Sequence, residues 1–229
     1  MLHPLAPVQT VHCSDKEPSR QRVLTSYKEN HRPAHVHGDI LDRLTEEQQA
    51  ELQKLLPVEH AKVADRRASN KAVREYLFKL FDEGKVLTDS FCAIHGRRCN
   101  CFSRLASPFH SDDSDPEQDV DRLTFHAAGV ICKDASNEGN RHGDSGPYMH
   151  LQHAWTAERR VRCEDCVVVE CVPRWEANSV MTHMPTSYSG YTNLLSSSDF
   201  AEVVRRVRRQ LSMWNQARAR FHSMSCSAS

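Results

Sequence analysis

Short apolar runs alternate along this chain with stretches in which apolar residues return every three or four positions, the pattern of strands separated by amphipathic helices. Val8-Gln9-Thr10-Val11-His12 is the first β-prone run. Asp15, Glu17 and Pro18 then signal a turn and a helix start, because proline suits the first helical position, and Val23, Leu24 and Tyr27 share one face of that helix. His35-Val36-His37 leads into Gly38-Asp39-Ile40 as a second strand ending in an acidic turn, with its histidines expected to be exposed. Residues 41–56 carry Leu41, Leu44, Leu52, Leu55 and Leu56 among polar residues and predict an amphipathic helix stopped by Pro57. Residues 69–83 repeat the pattern with Val73, Leu77, Leu80 and Phe81, Ser69 as the cap and Gly84 as the stop. An acidic Pro/Ser/Asp stretch at 111–121 reads as a mobile loop. Leu123-Thr124-Phe125-His126-Ala127-Ala128 is the next strand, and Cys166-Val167-Val168-Val169 another. Between them a helix opens at Pro147 and runs to about 161, with Met149, Leu151, Ala154 and Trp155 available to pack on a sheet and basic residues at the end the helix dipole favours. Leu211-Ser212-Met213-Trp214 is the last strand. This alternation predicts an α/β fold with a parallel, doubly wound sheet and helices on both faces.

At 229 residues and 39% hydrophobic content the chain can bury one α/β core, with room for an appended subdomain. Thirty basic and thirty acidic residues cancel, so no global field draws the protein to nucleic acid, and any contact with DNA must be local. The absence of a long apolar run and of a secretory leader pattern predicts a soluble intracellular protein with no membrane partner. Nine cysteines, an odd and irregularly scattered set, fit a reducing compartment better than a disulfide framework. Eight glycines are few for a complete nucleotide-binding enzyme, whose phosphate and cofactor loops use glycine for close backbone approach.

The chemistry concentrates around Gly129-Val130-Ile131-Cys132-Lys133-Asp134-Ala135-Ser136, where a turn after an apolar run delivers a thiol at the end of a strand. The second apolar run ends in Glu170-Cys171-Val172-Pro173, which places a carboxylate at the mouth of what would be the neighbouring strand. These segments resemble motifs IV and VI of the C5-cytosine DNA methyltransferase family, with Ile131 where the family has proline and Cys171 where it usually has asparagine. Gly139, Arg141 and Gly143 match the family's Gly/Arg-rich loop after the cysteine. Ser14-Asp15-Lys16-Glu17-Pro18 and Gly38-Asp39-Ile40 are similar to motifs II and III. Asp199-Phe200-Ala201-Glu202-Val203-Val204-Arg205-Arg206-Val207-Arg208-Arg209 is similar to motif VIII, although by themselves Arg205 to Arg209 read best as a solvated helical face.

The resemblance implies a Rossmann-like S-adenosylmethionine-dependent methyltransferase fold, here incomplete. It implies Cys132 as nucleophile, Glu170 as the acid group on the base, Arg206 and Arg208 near the base's O2 edge, and Asp15 and Asp39 on the ribose and adenine of S-adenosyl-L-methionine. The partner it implies is DNA presenting a flipped cytosine, and the location a nucleus or another intracellular compartment that holds DNA. The family's Phe-x-Gly-x-Gly-Gly cofactor turn has no counterpart here, and few residues follow Arg208, so a truncated, weakly active or inactive catalytic segment is expected. The expected organisation is a partial cofactor-binding half over 1–40, a helical insertion with a Cys/His cluster over 41–119, the catalytic half over 120–215 and a tail over 216–229. A non-catalytic remnant of the fold, serving as a nucleic-acid or protein interaction module, is the competing reading. Cys92, His95, Cys99 and Cys101 form a candidate zinc set, because two or more thiolates and an imidazole within ten residues can supply four ligands; this defines a third reading, a small zinc protein. Cys163-x2-Cys166 is set aside as a second pair, since Cys166 opens a buried strand.

Overall fold

A computed structural model of the chain describes residues 12–27, 32–58, 60–102, 124–129, 142–196 and 207–217. The chain divides into two compact units, one of residues 1–51 with 85–121, the other of residues 52–84 with 122–229. The acidic stretch at 111–121, the loop that carries Cys132, and the greater part of the C-terminal tail lie outside the described residues.

In the first unit, strand β1 (His12–Ser14), helix α1 (Pro18–Ser26) and strand β2 (His35–His37) make a β-α-β crossover with β1 and β2 parallel. Pro18 stands in the first turn of α1, where its missing N–H costs nothing. The face expected to pack is not buried: Val23 and Tyr27 are exposed, and α1 has no buried residue. Beyond β2 the chain makes a 3-10 turn (Ile40–Arg43) before helix α2 (Glu46–Leu55), so the single helix expected over 41–56 is interrupted. The reason is a capping box. Gln48 N–H donates to Thr45 Oγ1 at 3.3 Å and the Gln48 side chain accepts from Thr45 N–H at 3.0 Å, which starts α2 afresh. Strands β3 (Asp89–Cys92) and β4 (Arg97–Asn100) form a hairpin that turns at Gly96, whose φ of +62° suits glycine. The sheet order is β1-β2-β3-β4, and the hairpin joins it through the pair His37↔Cys92. The histidines of β2 do not sit in an exposed turn, because pairing on both sides of the strand buries His37 completely.

In the second unit, helix α3 (Val63–Asp82) packs against helix α4 (Met149–Arg162). Helix α3 begins upstream of Ser69, which lies inside it, and it ends as expected at Gly84, whose φ is +64° and whose N–H donates to Phe81 O at 3.0 Å. Val73, Leu77, Leu80 and Phe81 are buried along α3, and Leu151, Ala154, Trp155 and Ala157 along α4. The sheet orders strands β5 (Phe125–Gly129), β6 (Cys166–Cys171), β8 (Val207–Asn215) and β7 (Tyr188–Ser196), with a short helix α5 (Asn178–Met181) before β7. Strand β6 alternates in the half-buried manner, with Val167, Val169 and Cys171 in the core.

The molecule is therefore mixed α/β, with two mixed four-stranded sheets rather than the parallel sheet expected. Parallel pairing occurs where a helix carries the chain back, α1 between β1 and β2 and α4 between β5 and β6. The β3–β4 connection is only Ala93–Gly96 in length, and so short a link permits antiparallel pairing alone. Arg208 and Arg209 belong to β8, not to a solvated helical face, because β8 is laddered on both sides by β6 and β7. Among the described residues no helix is long and apolar enough to cross a membrane.

Candidate functional site

Strands β5 and β6 run side by side in the same direction, and their register sets Gly129 opposite Glu170. That register is anchored at the other end of the pair. Thr124 N–H and Oγ1 both donate to Asp165 Oδ2 at 2.7 Å, and Asp165 N–H donates to Thr124 Oγ1 at 2.9 Å. The carboxyl ends of the two strands therefore arrive level, the usual place for a ligand crevice in an open α/β sheet. Cys132 follows Gly129 by three positions and, like Arg206, lies outside the described residues. Alternation along β6 turns Glu170 away from the Val167, Val169 and Cys171 row, and its side chain is 58% exposed. Its Oε1 lies 2.8 Å from Arg208 Nε, and Arg208 is diagonal to it across the antiparallel β6–β8 pair. Two of the four catalytic candidates are thus in contact. Arg209, beside them, donates from Nε to Pro173 O at 2.8 Å and ties down the chain that leaves β6.

At the opposite, amino end of β5 and β6 sits a buried polar cluster. Arg159 pairs with Glu158 at 2.8 Å and with Glu164, and Arg162 pairs with Glu158 at 2.7 Å, all around the last turn of α4. Burial raises the Glu164 carboxyl, against the pull of Arg159 and Arg162. His126 of β5 accepts from Trp155 Nε1 at 3.1 Å; burial, then the nearby Arg159 charge, push its pKa down to about 2, so the ring stays neutral.

The first unit offers a cleft of about 340 Å³ lined by Lys16, Gln21, Val36, Gly38, Asp39, Asp42, Phe91 and Ala93, at the carboxyl ends of parallel β1 and β2. Asp39 lines it but spends one oxygen as a cap, accepting from Leu41 N–H at 3.0 Å. Asp15 is engaged locally, by Glu17 N–H at 2.9 Å and Arg20 at 3.4 Å. Asp42 was not singled out by sequence; its carboxyl is raised by burial and then by Asp39. A Cβ on Gly38 would lie 2.6 Å from Asp42 Oδ2, so glycine is what lets that carboxylate approach the backbone.

A third constellation lies at the other face of β2. Ligand atoms of His35, Cys92, His95 and Cys99 all fall within 4.8 Å of one another. Cys92 Sγ is 3.8 Å from His35 Nδ1 and 3.4 Å from His95 Nδ1, and Cys99 Sγ is 3.3 Å from His95 Nδ1. The strand β2 supplies His35, β3 supplies Cys92, the hairpin turn His95 and β4 Cys99. Burial, then His95, lowers the His35 pKa, which keeps a neutral imidazole facing the thiols. Cys101 is not in this group: it is buried with Sγ 3.1 Å from Ser90 Oγ, and Ser90 in turn lies 2.9 Å from His37 Nδ1. The rings of His12, His35 and His37 pack on one another as a group of three, with centroids 5.0, 5.5 and 5.8 Å apart. Local spacing could not reach His35, which is remote in sequence; a strand that both begins and ends in histidine was the available signal.

No family model matches the chain, and no curated protein matches it at a significant level.

Proposed function

We propose that this protein is a C5-cytosine DNA methyltransferase-like catalytic segment acting on a flipped cytosine with S-adenosyl-L-methionine as methyl donor, and that alone it turns over weakly or not at all. The single observation that carries the reading is the β5–β6 register, which levels the strand leading to Cys132 with Glu170. Cytosine C5 is a poor nucleophile. A thiolate from Cys132 adding at C6, while Glu170 engages N3 and the exocyclic amine, moves electron density onto C5. Bound S-adenosyl-L-methionine supplies a methyl group on a sulfonium, open to attack by such a carbon. Loss of the C5 proton to water then breaks the C6–S bond and returns the thiolate. Arg208, in contact with Glu170, orients that carboxylate and reaches toward the O2 edge, with Arg206 two positions before it in sequence. Because C6 is closed off inside stacked duplex, the base must leave the stack to be reached.

The residues present fit one half of the cofactor. The cleft at the end of β2 offers Asp39 as an acceptor for ribose hydroxyls and Val36 and Phe91 as apolar surface for adenine. The methionine half would rest on a glycine-rich turn, and the chain has none, with eight glycines and no Phe-x-Gly-x-Gly-Gly. Weak cofactor retention follows. A cellular location with DNA is part of the same proposal.

The test is trapping on an oligonucleotide containing 5-fluorocytosine, whose C5 cannot shed fluorine as a cation, with the methyl donor present. A covalent adduct lost in Cys132→Ser is expected. The exposure of Glu170 favours a second reading, a non-catalytic interaction module, since a carboxylate that holds a base works best away from water. No adduct at any donor concentration, with oligonucleotide binding intact, would establish that module instead.

A further inference from the structure

We propose that His35, Cys92, His95 and Cys99 bind one structural zinc ion that clips β2 to the β3–β4 hairpin. Tetrahedral zinc with Zn–S of about 2.3 Å and Zn–N of about 2.0 Å sets its ligand atoms roughly 3.3 to 3.8 Å apart. The three separations here, 3.8, 3.4 and 3.3 Å, lie in that window, and the four atoms form one group inside 4.8 Å. Thiol and imidazole are the donors that select zinc over magnesium or calcium, and two thiolates neutralise a dication, so the bound centre adds no net charge to a half-buried place. Four protein donors leave no position for water. The ion is therefore structural rather than catalytic.

The surroundings supply a second, independent argument. Among the described residues the first unit buries only Val36, Leu44, Val86, Cys92 and Cys101 as apolar side chains, and two of those are cysteines. A sheet backed by so few apolar side chains among the described residues gains much from a staple. The β2–β3 seam is where the staple is needed, because its ladder is reduced to the pair His37↔Cys92. The ligands bridge that seam, one from β2 and three from the hairpin. The set includes His35 and leaves out Cys101, whose thiol is turned to Ser90.

The test uses the untagged full chain, expressed without added zinc, because fourteen histidines and a purification tag would confuse the count. Metal analysis is expected to give about one zinc per chain after desalting. His35→Asn and Cys99→Ser are each expected to lose it, and Cys101→Ala to keep it. Since Cys101 is buried and that variant can fail to fold, alkylation mass mapping of the wild-type chain provides the second measurement. Cys92 and Cys99 should resist iodoacetamide until a chelator is added and then react together, and cobalt(II) loaded in place of zinc should show the intense visible bands of a tetrahedral thiolate site. Metal-free protein, zinc retained by His35→Asn, or a chelator with no effect on the reactivity of Cys99 would each overturn the assignment. So would a Cys92–Cys99 disulfide in protein prepared under reducing conditions.

Discussion

Acid should destabilise the second unit before its carboxylates titrate. His153 is buried and His126 half-buried, and their pKa values fall to about 3 and about 2, desolvation being the first cause in each; Arg159 adds to it at His126, and Arg74, His183 and His150 at His153. An unfolded histidine titrates near 6.5. Between that value and the folded values the unfolded chain binds a proton that the native ring refuses, so stability is full above about pH 6.5 and declines as pH falls. At pH 5 each histidine costs about 2 kcal/mol, a magnitude insensitive to the exact folded pKa, and together they cost about 4 kcal/mol of a total that for ordinary domains is about 5–15 kcal/mol. Glu164, raised by burial, acts in the opposite sense and offsets part of this only where the pH reaches its folded pKa. All three tryptophans, Trp155, Trp175 and Trp214, belong to this unit, so intrinsic fluorescence reports its unfolding without a contribution from the first. With a urea slope of about 2 kcal/mol/M, the midpoint should fall by roughly 2 M from pH 7 to pH 5. His153→Gln should halve that fall, whatever it does to stability at pH 7. An unchanged midpoint between the two pH values, or a full response in the variant, refutes the reasoning.

Three further outcomes follow from the packing. Arg208→Ala removes an ion pair whose carboxylate is more than half exposed, so its effect on the urea midpoint should correspond to less than about 1 kcal/mol, while the yield of trapped oligonucleotide should drop clearly. Leu77→Ala opens a hole in the fully buried centre of α3 and should cost about 3 kcal/mol by the same fluorescence measurement. Gly190→Ala would place its Cβ 2.6 Å from Ser212 O and 3.0 Å from Met181 Sδ, so the β7–β8 ladder must shift, and a loss of about 2 kcal/mol is expected in the melt.

The elements that were legible in the sequence are those whose pattern is local. The stripe of Val73, Leu77 and Leu80, the stop at Gly84, and the strand-helix-strand run from Phe125 to Cys171 all appear close to where hydrophobic spacing puts them. The hairpin at 89–100 carried little apolar signal, because its outward positions are Phe91, Arg97 and Arg98 and its inward ones Ser90 and Cys92. Strand β7 was hidden in a Ser/Thr/Tyr-rich segment in which Tyr191, Thr192, Asn193 and Leu194 all face solvent, so no inside-outside alternation marks it. The sites divide in the same way. The pairing of Glu170 with Arg208 spans strands distant in sequence, and the resemblance to a family, not spacing, named those residues. His35 joins the thiols of the hairpin only through strand pairing, which no count of intervening residues reveals.

Each unit takes up the chain in two separate visits, at 1–51 and 85–121 for one and at 52–84 and 122–229 for the other. During synthesis α3 emerges long before α4, the helix that covers its Val73, Leu77 and Leu80 row, has been made. The ribosome thus releases a sticky amphipathic segment that must wait for its mate while the first unit is completed downstream of it, and the protein should depend on holding factors such as chaperones during that interval. The same threading means that no single cut frees either half as one continuous piece.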